Sequence, residues 1–385
     1  MVMRRVKPGQ EYRAAGVDYR LLQGWKDMVV AGMQATNTFP NKYGVRVIKT
    51  RHSHGGVWEY EGKGPHCFVQ TTEGLGGKDW LAAWMKKFGG DKEGKGFFNC
   101  GICNVKMAGN DNAAMGAQPV TYTDEVVAGS GDFFKDLSVC ANLVGGLVEG
   151  CRQSGMAMIA GETPAIPFLV QARPPIDPAG APILSGCAVG LVAPTRRLIT
   201  GDKLRAGDSI VGVRSAGLHA NGFSLFFKEG LLLPDQFCTR LESGVTIGEE
   251  ALTPTMCYVR LVQALLDNEV DIHVALPGTG DGVAKLAFDK RSFTYRIHTW
   301  PEVSPIFRFI LERMGVSIEG CLKTFNWGIG YYFFVPKRMV NRTLDIARKT
   351  GYEAWEVGVV KEGMRRTIFH PAGHKRIILP PPGKE

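Results

Sequence analysis

No apolar run in the 385-residue chain approaches the ~20 residues of a membrane helix; the longest resemble Tyr331–Val335. Behind the basic residues Arg4, Arg5 and Lys7 no apolar stretch follows, so no signal peptide is expected. A cytoplasmic protein with no membrane partner is therefore expected. Two nucleotide fingerprints are missing. The Walker A spacing is absent, and Gly278-Thr-Gly-Asp-Gly282 reads G-x-G-x-G, without the Rossmann spacing that nicotinamide binding calls for. Cys100-Gly-Ile-Cys103 has no second C-x-x-C, so a zinc site would need His52, His54, His66 or Cys67 to complete it. Nine cysteines, an odd number spread along a chain of this size, are expected as reduced thiols. Basic residues form no stripe interleaved with aromatics, and no nucleic-acid partner is expected.

What is there suits a globular protein: 44% hydrophobic and 22% charged residues exclude a disordered chain. The net charge of +9 calls for an anionic partner. Nucleic acid, a phosphorylated metabolite and an acidic membrane all satisfy charge alone. Forty-nine glycines without a collagen-like period point to many turns or to loops that approach phosphate. The length favours two domains, divided near residue 195 into 1–195 and 196–385.

Spacing predicts helices over Tyr19–Ala35, Asp79–Lys87, Gly101–Asn112 and Asp136–Ser154, the last capped by Gly155. Strands are expected at Val45–Lys49 and Gly56–Tyr60 (a hairpin), His66–Thr72, Val120–Val127, Met156–Ile159, Gly186–Pro194 and Ser209–Arg214. The fold class is α/β in two units, each using strand, glycine-rich loop and helix.

Several segments could carry chemistry. Thr71-Thr-Glu-Gly-Leu-Gly-Gly-Lys78 links an apolar strand to a helix, so its amides could meet phosphate oxygens. There Lys78 can neutralise phosphate and Glu73 can hold Mg²⁺; the alternative is a plain turn. Gly109-Asn110-Asp111 offers hard oxygen ligands, or a helix end. Gly161-Glu162-Thr163 sits at a strand end, where ligands collect in α/β sheets. Glu73, Asp111 and Glu162 together would make an oxygen-only Mg²⁺ site. Ser215 to Ser224 surrounds His219 with small polar groups; a neutral His there can act as a base or donate to an oxygen, or simply pack in a turn.

Taken in order, these motifs resemble the aminoimidazole ribonucleotide synthetase family, the phosphoribosylformylglycinamidine cyclo-ligases. Tyr12 to Asp18 is similar to Y-K-x-A-G-V-D, and Glu149 to Gly155 to E-G-C-x-x-S-G. Ala160-Gly-Glu-Thr-Pro164 is similar to G-G-E-T-A, and Ser215 to Leu225 to S-S-G-x-H-S-N-G-Y-S-L. Leu252 to Thr255, Thr324 to Gly330, and Ala354-Trp355 with Gly358 resemble L-x-P-T, T-F-N-x-G-x-G and A-W-x-I-G.

The resemblance implies an ATP- and Mg²⁺-dependent ring closure on formylglycinamidine ribonucleotide. It implies two α/β domains, the N-terminal one with a mixed sheet forming a barrel across a homodimer, the C-terminal one with a sheet flanked by helices. Lys78 and His219 would be catalytic. Glu73, Gly74, Gly76, Lys78, Asn110, Gly161 and Thr163 would meet ATP and its phosphates. Ser215, His219 and Asn221 would hold the ribonucleotide, and Glu73, Asp111 and Glu162 the metal.

The chain departs from the family in its nucleotide half. D-G-V-G-T-K appears as Glu73-Gly-Leu-Gly-Gly-Lys78, and G-I-D as Gly101-Ile-Cys103. The family's Asp near Ile183 has no counterpart, and A-H-L-T-G-G-G becomes Leu276 to Gly282, gaining Asp281. Asn37 to Tyr60 replaces a glycine-rich loop. A non-catalytic or regulatory paralogue that binds a phosphoribosyl compound or nucleotide, and another small-molecule kinase or synthetase of the superfamily, are the alternatives.

Overall fold

The computed structural model describes residues 19–50, 55–373 and 375–383. The family-like start at Tyr12–Asp18, the basic residues near the N-terminus, and His52 and His54 lie outside them.

The chain forms, in order, α1 (Tyr19–Thr36), β1 (Val45–Ile48), β2 (Val57–Tyr60), β3 (Cys67–Gly74), α2 (Lys78–Phe88), α3 (Lys95–Ala114), β4 (Gln118–Val127), α4 (Leu137–Ser154), β5 (Ala157–Glu162), β6 (Ile183–Val192) and β7 (Ser209–Arg214). There follow α5 (Phe223–Gly230), α6 (Ile247–Ala251), α7 (Val259–Asp267), β8 (Val274–Pro277), β9 (Phe293–Ile297), α8 (Pro305–Arg313), α9 (Ile318–Thr324), β10 (Ile329–Val335), α10 (Val340–Lys349), β11 (Ala354–Glu362), β12 (Arg366–Phe369) and β13 (Ile377–Leu379). The chain divides into two compact units: residues 1–62, 72–105 and 120–188, and residues 63–71, 106–119 and 189–385.

In the first unit, α4 is set by its sequence. Asp136 caps it by accepting the Val139 N–H at 3.1 Å, and Gly155 ends it in the left-handed region. Its apolar face buries Val139, Leu143 and Leu147, each worth roughly 1.5–3 kcal/mol of transfer free energy. α3 begins six residues earlier than apolar spacing predicts. Its first turns hold Gly96 and no amphipathic stripe, and tertiary packing carries them instead. A Cβ on Gly101 would press on the α4 backbone at Leu143 and Leu147, and one on Gly146 would overlap the Phe98 carbonyl. The two helices therefore touch backbone to backbone.

The four-stranded sheet runs β3-β6-β4-β5. β4 pairs in parallel with β5, setting Asp124 beside Gly161 and Glu125 beside Glu162. The predicted hairpin of β1 and β2 is present, Val45 opposite Tyr60.

The second unit is built on a seven-stranded sheet in the order β13-β12-β9-β11-β7-β10-β8. β10 is buried at all seven positions, which accounts for the apolar run Tyr331–Val335. Val211, Val213, Leu261, Leu265, Tyr331, Phe333 and Ile346 share its core.

Candidate functional site

Within the first unit, the loop after β3 turns into α2 through Gly76 (φ 71°) and Gly77 (φ 93°). Gly77 is the N-cap of α2, with no side chain to occupy the helix's first N–H groups. The family motif has Thr here. A β-branched residue would be strained at that φ, so the change to glycine goes with the left-handed turn. Leu75 N–H fixes the loop to the Leu184 carbonyl at 2.8 Å.

Lys78 opens α2 fully buried, its Nζ donating to Cys103 Sγ at 3.3 Å. Asp79, 5% exposed, is pushed up to about 7 by burial, even though its carboxylate accepts backbone N–H bonds, Trp80's among them. Glu73 is half-buried, while Gly74 and Gly76 are exposed.

Across the sheet, Glu162 and Gly161 end β5 in the open. Glu162 Oε1 accepts the Thr163 N–H at 2.8 Å. Trp25, buried in α1, donates its indole N–H to Thr163 Oγ1 at 3.0 Å. Asp124 lies on the buried side of β4, 4% exposed, with neither oxygen hydrogen-bonded. Burial pushes its carboxyl up to about 7. Glycine opposite leaves room for that carboxyl, since a Cβ on Gly161 would overlap Asp124 Oδ1 and push the side chain aside.

In the second unit, the two polar motifs lock together through Asn326. Its Oδ1 accepts the Ser215 hydroxyl and the Gly328 N–H, both at 2.9 Å, and its Nδ2 donates to the Gly217 carbonyl at 2.8 Å. His219, buried and at φ 58°, accepts the Ala216 N–H on Nε2 at 3.2 Å. That bond places the ring proton on Nδ1. Asn221 Oδ1 accepts the Gly280 N–H at 3.1 Å, which holds the Gly278–Gly282 loop to the His219 segment.

Asn110 is buried in the same unit and makes three hydrogen bonds. Its amide bonds the Met256 carbonyl (2.9 Å) and the Tyr258 N–H (2.8 Å), and its own carbonyl accepts from Tyr331 (3.1 Å). Asp111 beside it is half-buried. Among the described residues, no three His, Cys, Asp or Glu side chains gather closely enough for a metal ion. Cys100 and Cys103 are buried and form no disulfide.

The sequence matches known proteins along most of its length. The N-terminal domain model of AIR synthase related proteins covers residues 56–192, and the C-terminal domain model covers 205–370. A phosphoribosylformylglycinamidine cyclo-ligase of Rippkaea orientalis is 30% identical over 93% of this chain and 98% of its own length. The chain belongs to the AIR synthase related family.

Another phosphoribosylformylglycinamidine cyclo-ligase, from Alkaliphilus oremlandii, is 32% identical over 93% of this chain and 99% of its own. Among solved structures the fold is shared with hydrogenase maturation protein HypE in complex with ATP, at TM-score 0.61, 16% identity, and 94% and 93% coverage of the two chains. Thiamine-monophosphate kinase from Stenotrophomonas maltophilia K279a gives TM-score 0.58 at 16% identity, covering 90% and 96%.

For this AIR synthase related chain, sequence reasoning missed Asp124 and the organising role of Asn326. Asp124 had a signal. It shares strand parity with Val120, Tyr122 and Val126, all buried, so a carboxylate falls at a core position.

Proposed function

We propose that the chain is an ATP- and Mg²⁺-dependent phosphoribosylformylglycinamidine cyclo-ligase that closes the imidazole ring of formylglycinamidine ribonucleotide in purine biosynthesis. The observation that carries this is the end-to-end match to enzymes of that name, 30–32% identical over 93% of this chain. Bound ATP supplies the phosphoryl group that makes the formyl amide oxygen a leaving group. Everything else falls to the chain's own side chains.

Asp124 bears on whether the first unit suits Mg²⁺. A buried carboxylate without a hydrogen bond is a hard oxygen donor whose ionised form a cation would stabilise. Glu73, Glu162 and Asp111 would be the further carboxylate donors, and a bound cation would have to draw them in, since among the described residues they form no such cluster. Gly74, Gly76, Gly161, Thr163 and Asn110 are assigned to the nucleotide. Thr163 keeps its own hydroxyl proton for an acceptor, since Trp25 donates to it. Lys78 is assigned to the transferring phosphate, and would have to swing away from Cys103 to reach it. Ser215, His219 and Asn221 would orient the ribonucleotide on the loop framed by Asn326. A division near residue 195, a homodimer sharing a barrel, and a cytoplasmic location complete the reading. The +9 charge then serves phosphorylated small molecules.

One observation favours a second reading, a regulatory paralogue that binds ribonucleotide without turning it over. The Lys78 ammonium is in the core on a thiol, where the family has an aspartate. The deciding assay supplies formylglycinamidine ribonucleotide, ATP and Mg²⁺ and follows aminoimidazole ribonucleotide and ADP. Turnover supports the enzyme. Its absence in folded protein, with tight ribonucleotide binding and no Mg·ATP binding by calorimetry, supports the paralogue.

A further inference from the structure

The first unit holds a cavity of about 680 Å³ that shares no residue with the site above. It is of the size that holds small organic ligands. One wall is the last turns of α2, where Lys86 stands two turns beyond Lys78, about 12 Å along the helix. Phe97 and Phe133 form a second wall, edge to face with centroids 5.9 Å apart. The third is the proline-rich segment after β5, contributing Val170, Ile176 and Pro178.

That segment is tethered, so the cavity is preformed. Trp80 donates its indole N–H to the Arg173 carbonyl at 2.7 Å, and Lys87 Nζ donates to the Pro175 carbonyl at 3.0 Å. Ala172 N–H closes it on the Pro178 carbonyl at 2.8 Å.

Charge decides the class of ligand. Every charged side chain in the lining is in an ion pair: Lys86 with Asp136 (2.8 Å), Lys87 with Asp177 (3.2 Å) and Asp132 with Lys135 (2.6 Å). The lining itself carries three carboxylates against two ammonium groups. A phosphate would compete for two ammonium groups already paired and would face three carboxylates. A neutral ring would instead pack on the apolar wall of Phe97, Phe133, Val170 and Ile176, with Ser130 and Gln171 offering neutral donors and acceptors. We propose that this cavity binds an uncharged aromatic heterocycle of up to nucleoside size, independently of the nucleotide reading above.

The test is calorimetry on the full chain with adenosine, caffeine and indole as probes, and AMP as the charged counterpart of adenosine. Ala179→Trp fills the cavity from its tethered loop, where Ala179 is half-buried. Comparing wild type with this variant cancels binding elsewhere. The expected result is a dissociation constant below about 1 mM for at least one neutral probe, weakened at least about tenfold by A179W. The part of AMP binding that A179W removes should be weaker than that of adenosine. No neutral probe binding to wild type, or equal binding to A179W, overturns the proposal. Should circular dichroism show A179W unfolded, crystals of the wild-type protein soaked in adenosine replace it. Density against Phe97 and Phe133 supports the site, and its absence there overturns it.

Discussion

Lys78 Nζ lies 3.3 Å from Cys103 Sγ, and both residues are fully buried. A buried ammonium is costly unless it is paired, and a thiol is a weaker partner than a carboxylate. Burying that charge carries a desolvation cost that a Met side chain would not. Lys78→Met should leave the melting temperature unchanged or higher, because it fills the same volume without a charge. If Lys78 screens a phosphoryl group, the same variant should lose ring-closing activity by at least about 100-fold. A melting scan alongside the product assay checks both. A stability loss with activity intact would give Lys78 a structural role only.

Asn326 makes three hydrogen bonds from a buried position, to Ser215, Gly217 and Gly328. Asn326→Ala strands those partners, at a cost of about 2–4 kcal/mol summed over them. Ser215→Ala removes one bond and should cost about 1 kcal/mol. Urea unfolding gives both values. Because the loop also carries His219 and Asn221, N326A should raise the KM for ribonucleotide more than the KM for ATP. Equal rises would place Asn326 in general stability rather than in substrate positioning.

The elements easiest to read carried local signals. α4 had its apolar face, its Asp136 cap and its Gly155 stop, and the structure places it at Leu137–Ser154. β10 was visible as an apolar run but not as a strand buried on both faces, since burial depends on β7 and β8 pairing at its sides. The first turns of α3 were illegible because backbone packing between Gly101 and α4, not spacing, holds them. The motifs located the polar loops, yet nothing local shows that Lys78 meets a thiol 25 residues away. Nor could the family motif around Asn110 show that three tertiary hydrogen bonds would occupy it.

His273, just before β8, joins two carboxylates. Its Nδ1 lies 2.7 Å from Asp208 Oδ2 and its Nε2 lies 3.3 Å from Asp271 Oδ2. Asp208 is 1% exposed and also accepts the Arg205 N–H at 3.0 Å, with Arg205 Nε 3.9 Å away, while Asp271 meets Lys203 at 2.9 Å and Arg338 at 3.4 Å. Removing the imidazole leaves Asp208 with its Arg205 contacts and Asp271 with Lys203 and Arg338. His273→Ala should cost about 1–3 kcal/mol, as expected when a buried polar group loses one hydrogen-bond partner. Asp208→Asn in the same background should recover part of that loss. A double-mutant cycle by denaturant unfolding measures the coupling, and additive losses would show the pair to be energetically unimportant.

Asp124 and Asp79 make the fold sensitive to pH in a direction opposite to that of salt-bridged carboxylates. Burial raises each from 3.8 to about 7, so the native state holds protons that the unfolded chain releases. Their contribution is fully present below pH ~4, and it is lost as pH rises through about 7. The loss is on the order of a few kcal/mol. Asp124→Asn removes one of the two groups, so its advantage over wild type should appear above pH ~7 and fade toward pH ~4. Mg²⁺ supplies a further test. If Asp124 is a ligand, the cation favours the ionised carboxylate, and Mg²⁺ should raise the wild-type melting temperature more at pH ~8 than at pH ~5. The D124N protein should lose most of that rise. A Mg²⁺ effect independent of pH and retained in D124N would remove Asp124 from the metal site, leaving its burial without a functional account.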